Sequence, residues 1–456
     1  MTRNRLPLAM LLATVLAPGL LEAAEAPAGS AGGQCPELTG KTAVSLAELV
    51  DRALCANIDT RTAWQRTRTQ AAQVGIARAA YYPSVNASAS RSRDIGDRLP
   101  GSDPEQTRMG VSADWLLWDF GGRHANLKQT RATLQALQAS YDARSQQVAL
   151  SAVQAYYQRQ ASGAALDAAR SSVAAAEETA KAAHQRVVVG AGTREDELQS
   201  ATALAQARLT EIQRQGEQAS ADGQLAVVAG YPASTSIRLD HSLPAPEASP
   251  APPLLDSLLK QAMDLRPERL AQQRNINAAE SDLDRIAAQS LPRISVSASR
   301  GDSRDSDGRS DTGQVALNAS LPLFTGFQQH YQERAAESQI EQQKLELQRI
   351  EQQVSLDVWL AWQALNTARS RVDASDSLLA SAQESSRAAL ARYRAGLGSL
   401  LNVLNAQSSL ADARQQQARA RYDWAAARLQ LAQASGVLVR NPENILVTPT
   451  AQEPRP

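Results

Sequence analysis

The chain is short of the residues from which most globular cores are built. Of its 456 residues only 3 are Phe, and all aromatics together make 4%. A core that leans mainly on Phe and Trp is therefore not expected. Charge of one sign is lacking too: Lys plus Arg total 47 and Asp plus Glu total 47. With no net charge and no basic patch interleaved with aromatics, there is no case for nucleic acid as a partner. Two cysteines cannot make a four-ligand zinc site, and four scattered histidines do not add one, so neither metal nor cofactor is expected. Beyond the first 26 residues no run of about 18 apolar residues occurs, so no helix of the mature chain is expected to span a membrane. What is abundant is Ala and Gln, the composition of long helices that approach closely, rather than the roughly three globular domains that the length suggests.

Two arginines within Thr2–Arg5, the mostly apolar Leu6–Leu21 and the small residues of Ala24-Glu25-Ala26 read as a signal peptide over 1–26. An N-terminal segment, 27–44, follows. Gly32-Gly33-Gln34 before Cys35 lacks the Leu three back and the small neighbour that a lipid-anchor signal needs. Export to an oxidising compartment predicts a bridge between Cys35 and Cys55, worth about 3 kcal/mol in the chain-entropy account. Two unrelated free thiols are the alternative.

Self-similarity organises the rest. Ala53-Leu54 and Val85-Asn86-Ala87-Ser88-Ala89-Ser90 recur as Ala262-Met263 and Ile294-Ser295-Val296-Ser297-Ala298-Ser299 at an offset of 209. Farther on the offset is 206: Leu117-Trp118-Asp119 meets Leu323-Phe324-Thr325, and Gly190-Ala191-Gly192 meets Gly396-Leu397-Gly398. The halves are 45–236 and 254–440, joined by a Pro- and Ala-containing linker, 237–253, and followed by a tail, 441–456, expected to be disordered.

Each half reads helix, strand, strand, long helix, short break, helix. No proline occurs from Gly121 to Val188, and Leu127, Leu134, Tyr141, Val148 and Ala155 recur every seven residues as a coiled-coil seam. Such a helix would be about 100 Å long and must pack beside others. The Gly-x-Gly elements predict hairpin turns. The strands follow a period of two. Met109, Val111, Ala113, Trp115 and Leu117 alternate with polar or small residues, as do Val315, Leu317, Ala319, Leu321 and Leu323. Runs of about nine to eleven such residues match tilted transmembrane strands. Arg91–Glu105 and Arg300–Thr312 read as solvated loops.

In lipid an open sheet edge leaves backbone groups unpaired, and four strands are too few to close a barrel whose bacterial minimum is about eight. Identical copies must therefore share one. Tyr81, Tyr82, Trp115, Trp118, Phe120, Phe324 and Phe327 gather at the strand ends, where membrane-interface aromatics belong; packing where helix meets sheet is the other reading.

The order of elements, the two-fold repeat, the Tyr82-Pro83 and Leu291-Pro292 strand entries, Trp118-Asp119-Phe120-Gly121-Gly122-Arg123, and Arg392-Tyr393-Arg394-Ala395-Gly396-Leu397-Gly398 before Asn402-Val403-Leu404-Asn405 resemble the TolC family of outer-membrane channels. Ala53-Leu54-Cys55-Ala56-Asn57 with Thr60-Arg61-Thr62-Ala63-Trp64 resembles its type I secretion branch. The resemblance implies a mainly α fold with a small transmembrane β part. Three chains would share a twelve-stranded barrel in the outer membrane, and their long helical hairpins would form a helical barrel in the periplasm. It implies a passive duct, with no enzyme activity, that meets a periplasmic adaptor (membrane fusion protein) and an inner-membrane transporter, ABC type ahead of RND type, and that contacts outer-membrane lipid. Adaptor docking would fall on Gly190, Gly192, Thr193 and Arg194 and on Gly396, Gly398 and Ser399. The family's entrance is narrowed by acidic side chains, and here those positions fall on Asn402 and Asn405, with Asp196 in the first half. Rings of Asn keep hydrogen bonding without a carboxylate field.

Two other functions fit the pattern less closely: small-molecule efflux by the same kind of channel, and a periplasmic coiled-coil scaffold with no pore. His124, His184, His241 and His330 have no motif beside them. Asp302, Asp305 and Asp307 with Gly308 lack the terminal Glu of a calcium loop. Arg300-Gly301-Asp302 reads as a chance tripeptide in a charged loop.

Overall fold

The computed structural model describes residues 35–38, 43–93, 105–240, 254–305 and 308–438. The signal peptide, the tail, most of the N-terminal segment and linker, His241 and Asp307 lie outside the described residues. In chain order the elements are α1 (Leu46–Ala56), α2 (Ile58–Ala79), β1 (Ser84–Arg93), β2 (Glu105–Trp118), α3 (Gly122–Val188), α4 (Arg194–Val228), α5 (Leu255–Leu265), α6 (Pro267–Ala287), β3 (Arg293–Asp305), β4 (Gly308–Ser320), α7 (Gln328–Arg394) and α8 (Leu400–Ala434). The repeat is carried through to element boundaries: α5 begins 209 residues after α1, and α7 begins 206 after α3.

Where one leading helix per half is expected there are two. Pro267 removes an N–H and excludes the residue before it from helical geometry, so Arg266 sits at φ −64°, ψ 121°. Its counterpart Asn57 takes φ −64°, ψ 136°, and its Oδ1 accepts from the Asp59 N–H at 2.8 Å.

The chain divides into two compact units. One consists of Arg68–Leu134 and Asn277–Ile340 and holds the sheet with the helix ends that run into it. Its four strands are antiparallel in the order β1-β2-β3-β4, so β2 against β3 joins the two halves of the repeat. The segment Arg300–Thr312, expected as a loop, is strand almost to its turn: β3 runs to Asp305 and β4 starts at Gly308. Its charges suit a ladder, because Arg300 pairs across the strands with Asp311 at 2.6 Å and Arg309 with Asp302. β1 likewise continues to Arg93. The alternation of β2 stops short of Leu117: a bulge between Leu116 and Trp118 places Trp118, not Leu117, opposite Ile294.

The other unit, made of Gly33–Thr67, Gln135–Ile276 and Glu341–Pro456, is helical. Of the expected seam only Val148 is fully buried, while Tyr141 and Ala155 are half-buried; in the sheet-bearing unit Leu127 and Leu134 are half-buried too. The buried heptads are instead alanine. Ala169, Ala176 and Ala183 line α3, and Ala406, Ala413, Ala420, Ala427 and Ala434 line α8. A methyl group at the contact lets helix backbones approach more closely than Leu permits, which explains a chain rich in Ala and poor in Phe. The repeat also builds two matching small cores, Ala53 with Val148 and Ala152, and Ala262 with Val354 and Val358.

The N-terminal strap is pinned at several points. Cys35 and Cys55 are joined, with Cα atoms 5.7 Å apart. The Arg52 guanidinium lies 4.3 Å from the Tyr231 ring centroid and donates to the carbonyls of Cys35 at 3.2 Å and Pro36 at 3.0 Å. Tyr231 Oη accepts from the Leu38 N–H at 3.0 Å, and Leu38 itself is 1% exposed.

Ala413, fully buried in the α8 seam, tests the alanine packing: Ala413→Leu should cost about 1–3 kcal/mol through overpacking, read as a lowered thermal midpoint of the purified protein. Cys55→Ser should lose about 3 kcal/mol. Reductant should destabilise the parent and leave this variant unchanged.

Candidate functional site

Two regions carry what the fold can do, and each lies within one unit. The first is the sheet. Residues paired across antiparallel strands share a face, and the register sorts the side chains into two sets. On one face run the rows Trp118–Ile294–Ala319, Trp115–Val296–Leu317 and Val85–Ala113–Ala298–Val315. On the other lie Ser84–Asp114–Ser297–Ala316, Asn86–Ser112–Ser299–Gln314 and Ser88–Gly110–Gly301–Thr312. One face is thus apolar and the other is mostly hydroxyl and amide. Among the described residues nothing covers the apolar one: Val315 is 78% exposed and Leu317 71%.

The aromatic residues stand where the strands pass into helices. Trp115 Nε1 donates to the Tyr81 carbonyl at 3.0 Å, Trp118 meets Phe120 edge-on at 6.1 Å, and Phe324 meets Phe327 at 5.6 Å. Tyr82 is 71% exposed. Arg123 ties this corner, donating to the carbonyls of Leu116 at 2.7 Å and Leu117 at 3.0 Å. Both strand-to-helix turns use two successive left-handed residues: φ is 50° at Phe120 and 98° at Gly121, and 63° at Gly326 and 65° at Phe327. A left-handed Phe costs on the order of 1–2 kcal/mol, and each half accepts it to turn a large ring outward.

The second region is the pair of hairpin tips. Gly190 and Gly396 end α3 and α7 with φ of 75° and 74°. The Gly190 N–H bonds to Val187 O at 3.0 Å and that of Ala191 to Arg186 O at 2.8 Å, and the second tip repeats this through Gly396 and Leu397. This is the six-to-one, five-to-two closure that needs a residue without a Cβ. Two residues on, a Cβ at Gly192 would come within 3.0 Å of the Arg186 Cβ, and one at Gly398 within 3.2 Å of that of Arg392. Thr193 and Ser399 then cap α4 and α8, their hydroxyls accepting from the N–H groups of Asp196 at 3.1 Å and Asn402 at 3.4 Å.

The sequence-derived tip residues therefore form two equivalent turns, and side chains outside the Gly-x-Gly elements tie them together. Arg186 donates to the Tyr393 carbonyl and to that of Ala191 at 3.1 Å, and lies 4.8 Å from the Tyr393 ring centroid. Arg394 pairs with Glu178, and Gln407 donates to Thr179 Oγ1 at 2.8 Å. Burial, and after it the Asp196 charge, push the Tyr393 phenol above its ordinary pKa, with Arg186 pulling the other way. Asn402 and Asn405 are exposed, and Asp196 is half-buried. Glu197 accepts from Arg194 at 2.5 Å and contacts His184 at 2.7 Å. The His184 contact and then Arg194 hold its carboxyl below the usual range. The one sequence signal for this network was the recurrence of Arg186 as Arg392 at the repeat offset.

Among the described residues no cluster of three or more His, Cys, Asp or Glu is placed to hold a metal. Asp302, one of the calcium-loop candidates, is engaged by Arg309.

A family described as outer membrane efflux protein matches residues 49–231 and 258–437. Protein CyaE of Bordetella pertussis is 32% identical over 380 residues, covering 82% of this chain and 80% of its own length. Outer membrane efflux protein BepC of Brucella suis is 26% identical over 411 residues, covering 88% and 87%. Among solved structures the Campylobacter jejuni CmeC outer membrane channel superposes with a TM-score of 0.75 at 18% identity, covering 88% of this chain and 89% of that one. That likeness shows the fold.

Replacing Arg186 by Ala should uncouple the two tips, raising amide exchange in 187–199 and 393–402 at least tenfold while leaving the rest of α3 unchanged; exchange at the parent's rate would refute the coupling. Because the Glu197 pKa is depressed on folding, its contacts persist at neutral pH and are lost only as pH falls below the usual carboxylate range. Intrinsically corrected exchange near Thr193 should rise there in the parent and be pH-independent in Glu197→Gln.

Proposed function

The chain belongs to the outer membrane efflux protein family, and from that membership we propose that it is the exit duct of a tripartite export system, built as a homotrimer that passes protein cargo. Family members are outer-membrane channels and not catalysts, with a helical tunnel in the periplasm, and this chain shares that location and role.

The observation that carries the trimeric duct is the sheet: two contrasting faces and, among the described residues, two free edges, β1 and β4. Lipid cannot satisfy an edge strand, so β4 of one copy must continue onto β1 of the next. Three copies of four strands make a twelve-stranded barrel with the apolar rows against lipid and the serine-rich rows around water. Trp115, Trp118, Phe120, Phe324, Phe327, Tyr81 and Tyr82 then form the interfacial belt at its periplasmic rim.

The tips are the adaptor-docking elements in this reading, through Gly190, Gly192, Thr193 and Arg194 and through Gly396, Gly398 and Ser399. Asp196, Asn402 and Asn405 line the entrance, where the amides leave the first-half carboxylate as the main source of field. Protein export, driven by an ABC-type transporter through a periplasmic adaptor, is favoured over drug efflux by the segment around Cys55. It is favoured also by the greater identity to CyaE than to BepC, which is named as an efflux protein. Crosslinking in cells with identification of the inner-membrane partner tests the cargo class. Recovery of an ABC transporter supports protein export, and an RND transporter in its place overturns it. A soluble monomer that remains folded without detergent would favour the scaffold reading over any channel.

The entrance assignment is tested by Asn402→Asp combined with Asn405→Asp, which should increase both cation selectivity and divalent-cation block of single-channel current in planar bilayers. Unchanged selectivity and block would place these side chains away from the constriction.

A further inference from the structure

The apolar face of the sheet ends in charge at the end farther from the helices, and the register shows where. In the row beyond Val85–Ala113–Ala298–Val315, Ala87 and Val111 continue the apolar pattern but Arg300 replaces it on β3. Farther out, Arg304 pairs with Arg309 directly across the β3–β4 ladder, and Arg91 and Arg93 stand on the same face of β1, beside Glu105. Among the described residues of this face, five arginines meet three carboxylates, Glu105, Asp302 and Asp311. The carboxylates are used within pairs: Arg91 with Glu105 at 2.6 Å, Arg300 with Asp311 at 2.6 Å, and Arg309 with Asp302. Arg304 has no ion pair among the described residues.

Two features of this collar call for an anion. Like charges directly opposite on neighbouring strands destabilise a ladder, and Arg304 opposite Arg309 is such a pair. A phosphate accepted by both guanidinium forks would turn that repulsion into attraction, since Arg presents a planar fork that matches phosphate oxygens in pairs. The exposed Arg–carboxylate pairs beside it contribute little and are readily exchanged. The second feature is height. From Ser320 to Gly313, the residue opposite Arg300, eight residues of strand cover about 27 Å, or about 20 Å along the membrane normal at a tilt near 40°. That approaches the roughly 25 Å of an outer-membrane barrel's apolar band. The arginines therefore stand at headgroup level.

We propose that this collar binds the phosphate-bearing headgroups of outer-leaflet lipid, with Arg304 and Arg309 sharing one phosphate and Arg300 reaching the headgroup layer from the last apolar row. The proposal rests on the channel reading, which places this face in lipid with its strand turns outermost. It deepens that reading by naming the chemistry of the lipid: a headgroup whose phosphates carry net negative charge, rather than the amine-compensated phosphate of a zwitterionic lipid or a sugar surface alone.

The test uses the full-length oligomer in phosphatidylcholine nanodiscs doped with either lipid A carrying its phosphates or the same lipid dephosphorylated, with retained lipid counted by native mass spectrometry. The parent should retain the phosphorylated form at least tenfold over the dephosphorylated one, and Arg304→Gln with Arg309→Gln should abolish that preference. Equal retention of both forms by the parent, or an undiminished preference in the double variant, overturns the proposal. So does displacement of the lipid by millimolar inorganic phosphate, which would mark a site for the free ion. Single-channel conductance of the same preparations separates the two claims. Conducting oligomers without a lipid preference defeat the collar alone, whereas parent oligomers that do not conduct defeat the channel on which it rests.

Discussion

A β-strand edge in hydrocarbon has no water to turn to, and every unpaired N–H and C=O there costs several kcal/mol. This chain brings four strands with two open edges, one apolar face and one hydroxyl face, and that arithmetic governs what the molecule must become. The same constraint explains why the internal repeat matters. Two copies of a hairpin joined through β2 and β3 supply a sheet segment that continues itself when further copies are added. The aromatic corners at Phe120 and Phe327 stand where the sheet gives way to the long helices α3 and α7.

The helical part answers a different problem with one device. Helices of 67 and 35 residues cannot bury a wide apolar face without a bulky core, and the chain has few aromatic residues. It uses alanine every seventh residue instead, so that backbones lie close and the contact per residue is small but repeated over many turns. Larger side chains gather at a few places: Tyr156, Tyr157, Tyr422 and Trp424 with Leu49 and Leu225 in the largest apolar cluster, and Leu400 and Val403 with Tyr393 at the tip. At the tips the discrete contacts of Arg186, Arg394 and Gln407 tie the two hairpins together.

Much of the architecture is legible along the chain because periodicity and repetition are local. The Gly-x-Gly turns and the period-two runs each follow from residues within a few positions, and the long helices keep matching boundaries in both halves; the strand pattern is cut shorter than expected, at the bulge before Trp118 in β2 and at Ser320 in β4, which leaves Leu321 and Leu323 outside the strand. The departures arise where a local pattern was ambiguous. Arg300–Thr312 has a loop's composition, yet its opposite charges lie at positions that pair across strands. The split at Asn57 needed the comparison with Pro267 to be noticed. Leu127, Leu134 and Tyr141 fit a heptad, but closeness of approach selected the alanines.

The amino-acid order by itself determined the two-fold repeat, which is likeness of sequence at a fixed offset, and also the long proline-free helices, the glycines at the tips and the amphipathic strands, each a matter of short-range steric and hydrophobic preference. Which side chains meet was decided only by tertiary structure. Arg186 reaches Tyr393 across 207 positions of sequence, and Arg304 faces Arg309 only because the ladder register sets them opposite. No local pattern encodes such pairs: they depend on how helices dock and strands align, and those are set by packing summed over the whole chain.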